Sequence, residues 1–465
     1  MVSREQKVIF RQHANTPSAI ERKYTIFTTH LRDLDILDTY SLKPLLDGKT
    51  LAKALSTPPG PWMKDALDVV MAWQLRNPDV KDPAGAIEEV KKHGELTSAL
   101  ASHFLKLTIR PLFAKAKPDN VTEQGRKKTA PGLPAKLSSE NSGELVVKPW
   151  KSEKDAHALA LLKWVVDSSL DENSTERLWP LLVPPILTLV DDWETKHKSL
   201  GADLLHSLLR ATSPSLLSRT GLGSVFEEAL MPCLTYLPSL TPEPDSVAIL
   251  STAYPALFTL TRTRFPPPSP STSTKPSSSP PTAPDDRNRS ARVKALDTIL
   301  RKGILHAYAH SNGQYPAITN VLFLNLATLL GELGIDCVKH LQHLLPMLSE
   351  SLIQAAKARQ SELLVSSLRA LQAVVFNAWP RMSVHRAEVM RGLTVCWLGL
   401  EEGGVVGDFG AGVDGRAVKE LMVETLRILH AAMGEKEEFV EECRLLIEAD
   451  GRLAGFLGEL TEKGS

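Results

Sequence analysis

Apolar residues recur at helical spacing through most of the second half of the chain. Ile318, Leu322, Leu326, Leu329 and Leu333 follow the three- and four-residue steps that place side chains on one helix face. The same spacing recurs over residues 341–352 and 364–375, with short Gly, Pro or polar breaks between the segments. No sustained two-residue alternation lies between them. The pattern therefore predicts consecutive helices rather than strands.

The spacing of these helices predicts how they pack. Helix pairs that recur at roughly 40 residues are typical of HEAT and armadillo repeats, in which stacking buries the apolar face that a single pair leaves open. The 318–333 helix is also apolar at Val321, Phe323, Leu324 and Leu330, which predicts neighbours on both of its faces. We therefore predict an all-α fold with a HEAT/armadillo-like solenoid over 149–465. A globular helical bundle fits the same periodicity.

Two stretches interrupt the helical pattern. Residues 119–148 are rich in Pro, Gly, Ser and Lys and have no apolar period, so we predict a flexible linker. Residues 266–290 contain almost nothing that folding could bury, which predicts a disordered insertion within the solenoid. Residues 1–118 form the remaining part, predicted as a small separate helical segment.

Composition narrows the classes of function. The chain has 54 basic and 54 acidic residues, and this balance argues weakly against a protein that binds mainly through phosphate neutralisation. Its four cysteines are far apart in sequence, without the CxxC pairs of a zinc site, and we expect reduced thiols in the core. The amino terminus lacks the apolar run of a signal peptide. We expect a soluble protein of the cytoplasm, the nucleus or both, without a membrane, metal or cofactor.

The amino-terminal segment carries a specific motif. Residues 42–55 read LKPLLDGKTLAKAL, PPGPW follows at 58–62, and HFLKLTIRPLFAKA closes the segment at 103–116. These residues resemble the carboxy-terminal body and tail of fungal CCA-adding tRNA nucleotidyltransferases. In that family the region is helical and grips the tRNA elbow, which makes Lys53, Lys64, Lys106 and Arg110 candidate tRNA contacts here.

The catalytic part of that family does not precede this segment. Nucleotidyl transfer needs a glycine-rich turn followed by paired carboxylates that hold two metal ions. Asp33 and Asp35 have the spacing of such a pair, but no Gly-Gly turn comes before them. We therefore predict a protein that is not an enzyme, with no catalytic, metal-binding or cofactor-binding residues. A tRNA-binding protein, or an inactive fragment related to these transferases, is the alternative function.

A second resemblance covers about 150–460. Residues 180–209 read PLLVPPILTLVDDWETKHKSLGADLLHSLL, and residues 219–250 read RTGLGSVFEEALMPCLTYLPSLTPEPDSVAIL. They resemble the fungal Tel-two-interacting protein two family, a subunit of the Triple T co-chaperone. The resemblance implies a scaffold that works with the other Triple T subunits and the heat-shock-ninety machinery in the maturation of phosphatidylinositol-3-kinase-related kinases.

Four residues near position 190 are the candidate partner contacts, namely Asp191, Asp192, Trp193 and Lys196. We expect Pro184-Pro185 to open a helix that ends at Asp191-Asp192-Trp193. The two aspartates then cap the next helix, which we favour, or receive a basic partner.

Two further interpretations concern caps and anchors. Ser224 and Glu227 have the spacing of a capping box. The tryptophans Trp193, Trp379 and Trp397 are candidate anchors for a partner, although burial in the core is the favoured interpretation for each.

Overall fold

The structure of the chain is a computed structural model. It describes residues 29, 45–55, 62–77, 80, 82–114, 121–122, 124–128, 148–152, 155–168, 171–266, 283–311, 313–402, 415–434 and 436–462. Within these ranges the regular structure is helical, with one isolated bridge between Val121 and Lys127. The chain divides into two compact units, 1–101 and 102–465. Asp33 and Asp35 lie outside the described residues.

The first unit is a small helical assembly. It holds α1 (Gly48–Ala54), α2 (Trp62–Arg76) and most of α3 (Ala84–Phe104). Asp47 caps α1, because its carboxylate accepts a hydrogen bond of 2.7 Å from the Thr50 backbone N–H. The unit has its own core, formed by Leu46, Leu51, Ala66, Val70, Ala86 and Val90.

The second unit consists of paired helices. A π-helical turn, Leu105–Ile109, continues α3 into the short α4 (Arg110–Phe113). The following helices are α5 (His157–Ser168), α6 (Glu172–Val190), α7 (Thr195–Arg210), α8 (Pro214–Thr220), α9 (Gly223–Leu230), α10 (Glu243–Arg264), α11 (Ala283–Thr298), α12 (His306–Ser311), α13 (Pro316–Leu333), α14 (Leu341–Lys357), α15 (Ser361–Asn377), α16 (Met382–Glu402), α17 (Gly415–Ala432), α18 (Glu437–Ala449) and α19 (Ala454–Glu462).

The helices stack in two layers. One layer runs α7, α10, α13, α15 and α17, and the other includes α14 packed on α16. Helices α7 and α10 of the first layer are parallel, because Thr195 and Ser199 of α7 bond Asp245 and Ala248 of α10 in the same order along both helices. Stacking of parallel helices is the geometry of a solenoid. The predicted all-α solenoid is therefore confirmed.

Helix α13 lies in the centre of this stack. Leu322, Leu326 and Leu330 are fully buried, as the predicted inner position requires. Leu324 differs from the prediction, because it is 46% exposed on the remaining side of the helix. The run Pro316–Lys357 is long and apolar enough to span a membrane by length and composition. In this fold it comprises α13 and α14, two helices of the stack separated by the 3₁₀ turn Gly334–His340.

Helix α6 begins earlier than the sequence predicted. It starts after Asp171, whose carboxylate caps Ser174 N–H at 2.9 Å, and it runs through Pro180, Pro184 and Pro185. The expectation that Pro184-Pro185 opens the helix is therefore wrong. Each proline removes one backbone donor. The loss is offset by burial, because most residues of α6 from Leu178 to Val190 are apolar and buried.

Two segments predicted without structure are partly helical or packed. Helix α11 already begins at Ala283, so 283–290 do not belong to a disordered insertion; 267–282 lie outside the described residues. Within the predicted linker, Val121 is 7% exposed, and the Gly125 carbonyl accepts a hydrogen bond of 2.9 Å from the Trp179 indole. Lys127 Nζ also donates to Ser224 Oγ at 2.6 Å. Part of this stretch is therefore held against α6 and α9.

Candidate partner-binding site

The candidate contacts lie at the turn that joins α6 to α7. We call residues 191–196, which include the first two residues of α7, the α6–α7 turn. Helix α7 approaches the end of α6 closely, because a Cβ on Gly201 would lie 2.5 Å from Val190 N and 2.8 Å from the Leu189 carbonyl carbon. Only glycine permits this approach without a shift of backbone. The turn is therefore fixed by two well-packed helices.

Asp192 is the buried centre of this turn. Its side chain is fully buried and accepts hydrogen bonds from Lys148 Nζ and Lys151 Nζ, both at 2.7 Å, and from the Glu194 backbone N–H at 3.0 Å. Burial alone would raise the pKa of Asp192, but the bonds from the two lysines outweigh it and lower this pKa to about 2. Asp192 therefore bonds basic groups of its own chain, and its side chain is not exposed to a partner. The favoured prediction that it caps α7 is wrong, since Glu194 occupies the N-cap position.

An aromatic contact holds the lysines in place. Lys148 and Lys151 flank Trp150, which is 1% exposed. The Trp150 ring stacks on Phe113 with 5.2 Å between centroids and meets the edge of His197 at 5.0 Å. The burial of Trp150 stabilises the attachment of this segment through apolar contacts. The ion pairs of Lys148 and Lys151 fix the orientation of the segment. The segment 148–152 is thereby fastened to the α6–α7 turn.

The other three candidate contacts are exposed residues. Trp193 is 74% exposed, and Lys151 Nζ lies 5.0 Å from its ring centroid. Lys196 is exposed and pairs with Glu194 at 3.1 Å. Asp191 is exposed as a residue at the end of α6, where its backbone N–H bonds the Leu187 carbonyl at 2.9 Å. Burial of its carboxyl group raises the pKa of Asp191, and the charge of Lys198 partly offsets this effect. The turn thus presents one aromatic ring between an acidic and a basic side chain.

The favoured interpretation of the tryptophans as core residues holds for one of the three. Trp397 is 4% exposed and donates a hydrogen bond of 3.1 Å to the Arg452 carbonyl. Trp193 and Trp379 are 74% and 58% exposed, so the core assignment is wrong for both. Each follows the end of a helix, where the chain turns away from the stack. These positions leave both indoles available to a partner.

Asp192, Glu194 and His197 have oxygen and nitrogen atoms within 4.8 Å of one another, as metal ligands do. Three lysine ammonium groups already contact the two carboxylates, which leaves no excess negative charge for a divalent cation. Burial, the largest cause, lowers the pKa of His197, which favours its neutral form. The arrangement is that of an ion-pair network that stabilises the turn.

The sequence contained little signal for Lys148, Trp150 and Lys151. The residues KPWK follow directly on the low-complexity stretch, and Lys151 is separated from Asp192 by 41 positions. The one feature that distinguishes this segment is an aromatic residue between two lysines, shortly before helix α5. Its partner could not be identified without the fold.

The predicted capping box at Ser224 is absent. The N-cap of α9 is Leu222, without a side-chain bond, and Ser224 lies inside the helix. Gly221 ends α8 in the left-handed conformation, with φ of 69°, so α9 follows after a tight turn. Glu227 pairs instead with Arg264 at 2.6 Å. The GxG pair at 221–223 therefore connects two helices.

The candidate tRNA contacts are all exposed. Lys53 and Lys64 belong to the first unit, and Lys106 and Arg110 belong to the second. Each lies on a helix, so both units have exposed basic side chains at the predicted positions. An exposed position suits a contact with nucleic acid and suits a solvated helix face equally well.

Short segments of the chain are similar to nucleotidyltransferases. The nucleotidyltransferase lcsQ of Purpureocillium lilacinum is 54% identical over 65 residues, which are 14% of this chain and 11% of that protein. The tRNA nucleotidyltransferase cca2 of Schizosaccharomyces pombe is 31% identical over 80 residues, which are 17% and 16% of the two chains. The chain thus spans about a tenth to a sixth of the length of these relatives. No solved structure matches the chain.

A much longer match comes from a protein family. The sequence model of the Tti2 family matches residues 76–359, which include the α6–α7 turn and the centre of the solenoid. This match begins before residue 150, where the resemblance was expected to start, and ends before 460. It confirms the resemblance identified from residues 180–250. Because it covers more than half of the chain, the protein belongs to the Tti2 family.

Proposed function

We propose that this protein is a non-enzymatic scaffold subunit of a Triple T-type co-chaperone. The observation that carries the proposal is the Tti2 family match over 76–359. A rigid stack of helices with an exposed aromatic turn suits a protein that holds partners rather than one that transforms a substrate. We place its action in the cytoplasm, the nucleus or both.

The proposed partners are the other Triple T subunits. Through them the protein would support the maturation and stability of phosphatidylinositol-3-kinase-related kinases, together with the heat-shock-ninety machinery. The α6–α7 turn is the proposed contact, in which Trp193 supplies the apolar anchor and Asp191 and Lys196 supply charges of opposite sign. A large exposed tryptophan beside charged groups is the composition of an interface hot spot.

Affinity purification of the tagged full-length protein, with and without ribonuclease, tests this function. We expect the other Triple T subunits in both samples, identified by mass spectrometry. Recovery of tRNA without these subunits or the kinases would contradict the proposal. The kinase levels after depletion of the protein provide a second readout, because loss of a maturation factor lowers the amount of its clients.

A second candidate function is tRNA binding through the amino-terminal segment. The 54% identity to a nucleotidyltransferase over 65 residues favours it, together with the exposed Lys53, Lys64, Lys106 and Arg110. Filter binding of tRNA at several salt concentrations tests it, because contacts with phosphate give a steep salt dependence. A dependence of the binding affinity on salt concentration that becomes less steep in the Lys53→Ala and Lys64→Ala variants would support this function. An assay for CCA addition checks in parallel for transferase activity.

A further inference from the structure

Three large apolar side chains face solvent at the turn between α15 and α16. Phe376 is 73% exposed, Trp379 is 58% exposed and Val384 is 72% exposed. They lie near the end of α15, on the 3₁₀ turn Trp379–Arg381 and near the start of α16. Single exposed apolar residues are common on soluble proteins, whereas a group of them at one turn is typical of an interaction surface.

The backbone that presents these side chains is rigid. Ala378 and Met382 are fully buried and anchor the turn from below. The Ala378 N–H bonds the Val374 carbonyl at 2.8 Å, and the Arg381 N–H bonds the Ala378 carbonyl at 2.9 Å. A surface that is already ordered loses little conformational entropy when a partner binds.

Two positive charges accompany the apolar group. Arg369 precedes Phe376 by seven residues on α15, so the two share a helix face about two turns apart. Arg381 lies in the turn itself. Both side chains are exposed, and within the described part of the chain neither guanidinium forms an ion pair or a hydrogen bond. The neighbouring Arg386, by contrast, is paired with Glu442 at 3.0 Å. We call Arg369, Phe376, Trp379, Arg381 and Val384 the α15–α16 patch.

We propose that the α15–α16 patch docks an acidic amphipathic helix of a partner protein. The apolar face of such a helix would cover Phe376, Trp379 and Val384, and its carboxylates would pair with the two free guanidinium groups. Tryptophan and arginine are the residues most enriched at interface hot spots. Nucleic acid suits the patch less well, because two cations beside three apolar side chains offer few phosphate contacts.

The patch and the α6–α7 turn are separate parts of the solenoid. Helices α7 and α15 belong to the same layer, with α10 and α13 between them. The α6–α7 turn lies at the start of a helix of this layer, whereas the α15–α16 turn follows one. One chain therefore has two separate surfaces and can hold two partner segments at once. This inference goes beyond the proposed function, since it does not depend on what binds the α6–α7 turn.

Photo-crosslinking in living cells tests the proposal. The probe is the full-length tagged protein with p-benzoylphenylalanine at position 376, and the control carries the same group at Leu240, which is 96% exposed. We expect position 376 to crosslink to a partner peptide that has carboxylates on one helix face and apolar residues on the other. The double variant Arg369→Glu/Arg381→Glu should reduce the yield at least tenfold, with an unchanged melting temperature.

Three outcomes would overturn the proposal. The first is a crosslinking yield at position 376 no higher than at position 240. The second is a crosslinked peptide without acidic residues, or one from the chain itself or from a second copy of it. The third is a crosslink to RNA. Recovery of Triple T subunits in the affinity purification while position 376 gives no crosslink would overturn this inference and leave the proposed function intact.

Discussion

A single buried carboxylate organises the residues around the candidate site. Asp192 accepts bonds from two lysines and a backbone N–H, and its side chain has no exposed surface. Such a group stabilises a fold only while it is charged and its partners are present. Trp193, the next residue, points the opposite way and contributes to the surface. Two consecutive residues of this turn therefore have different roles: Asp192 stabilises the fold, and Trp193 is available for binding.

Replacing Asp192 by Asn should lower the free energy of unfolding at pH 7 by about 2–3 kcal/mol, because two ammonium groups lose a buried partner. Asp203→Asn is the matched control, since Asp203 pairs with Lys163 while 43% exposed and should change the stability by less than about 0.5 kcal/mol. Urea unfolding of both variants and the wild type measures the two differences. Equal effects would contradict the central role of Asp192.

The Asp192 effect should also depend on pH. Folding lowers the pKa of Asp192 from its ordinary 3.8 to about 2, so the charged group stabilises the folded state above pH 4. This stabilisation is lost as pH falls from about 4 to about 2. The difference between the wild type and Asp192→Asn should therefore shrink over this range. A difference that stays constant from pH 5 to pH 2.5 would mean that the lysine bonds do not stabilise the fold.

At the scale of the helices, α13 is the clearest case of an element specified by its own sequence. Its apolar residues leave only a narrow outward side, and the structure buries Leu322, Leu326 and Leu330 while exposing Leu324. A periodic pattern of this kind can be detected without knowing the neighbours. Helix α6 could not be predicted in the same way, since its prolines disrupt the local signal and its burial against other helices offsets them.

Leu326→Asp should cost at least about 3 kcal/mol of folding free energy, because it places an unpaired charge in the centre of the stack. Leu324→Asp is the control on the same helix. Leu324 is 46% exposed, so its replacement should cost less than about 1 kcal/mol. Thermal melting followed by circular dichroism distinguishes the two. Similar melting temperatures for both variants would contradict the buried position of Leu326 in the centre of the stack.

Gly201→Ala should destabilise the protein by about 1–3 kcal/mol, since the added methyl group would meet the α6 backbone at 2.5 Å. Gly331→Ala is the comparison, because nothing lies within 4 Å of its added Cβ. Alanine in that helix should be neutral or stabilising by up to about 1 kcal/mol. Urea unfolding gives both values. An unchanged free energy of unfolding for Gly201→Ala would show that α6 and α7 lie farther apart than in this structure.

At the scale of the whole molecule, both compact units contain residues of the family match. The family match over 76–359 begins in the first unit and covers a large part of the second. The periodicity of the apolar residues predicted the solenoid, because each helix with an apolar face needs a neighbouring helix to bury it. It could not predict that 121–122, 124–128 and 148–152 pack on the solenoid, since these contacts join residues more than 40 positions apart without a repeating pattern.

The most direct test of the account is the affinity of the purified full-length protein for purified Triple T partner subunits. We predict that the wild type binds, and that Trp193→Ala/Lys196→Ala weakens binding at least tenfold, or about 1.4 kcal/mol, at an unchanged melting temperature. Leu240→Ala serves as the control, because it removes an apolar side chain elsewhere that is 96% exposed. A wild-type protein that binds none of these subunits, or a Trp193 variant that binds them equally well, would contradict the account.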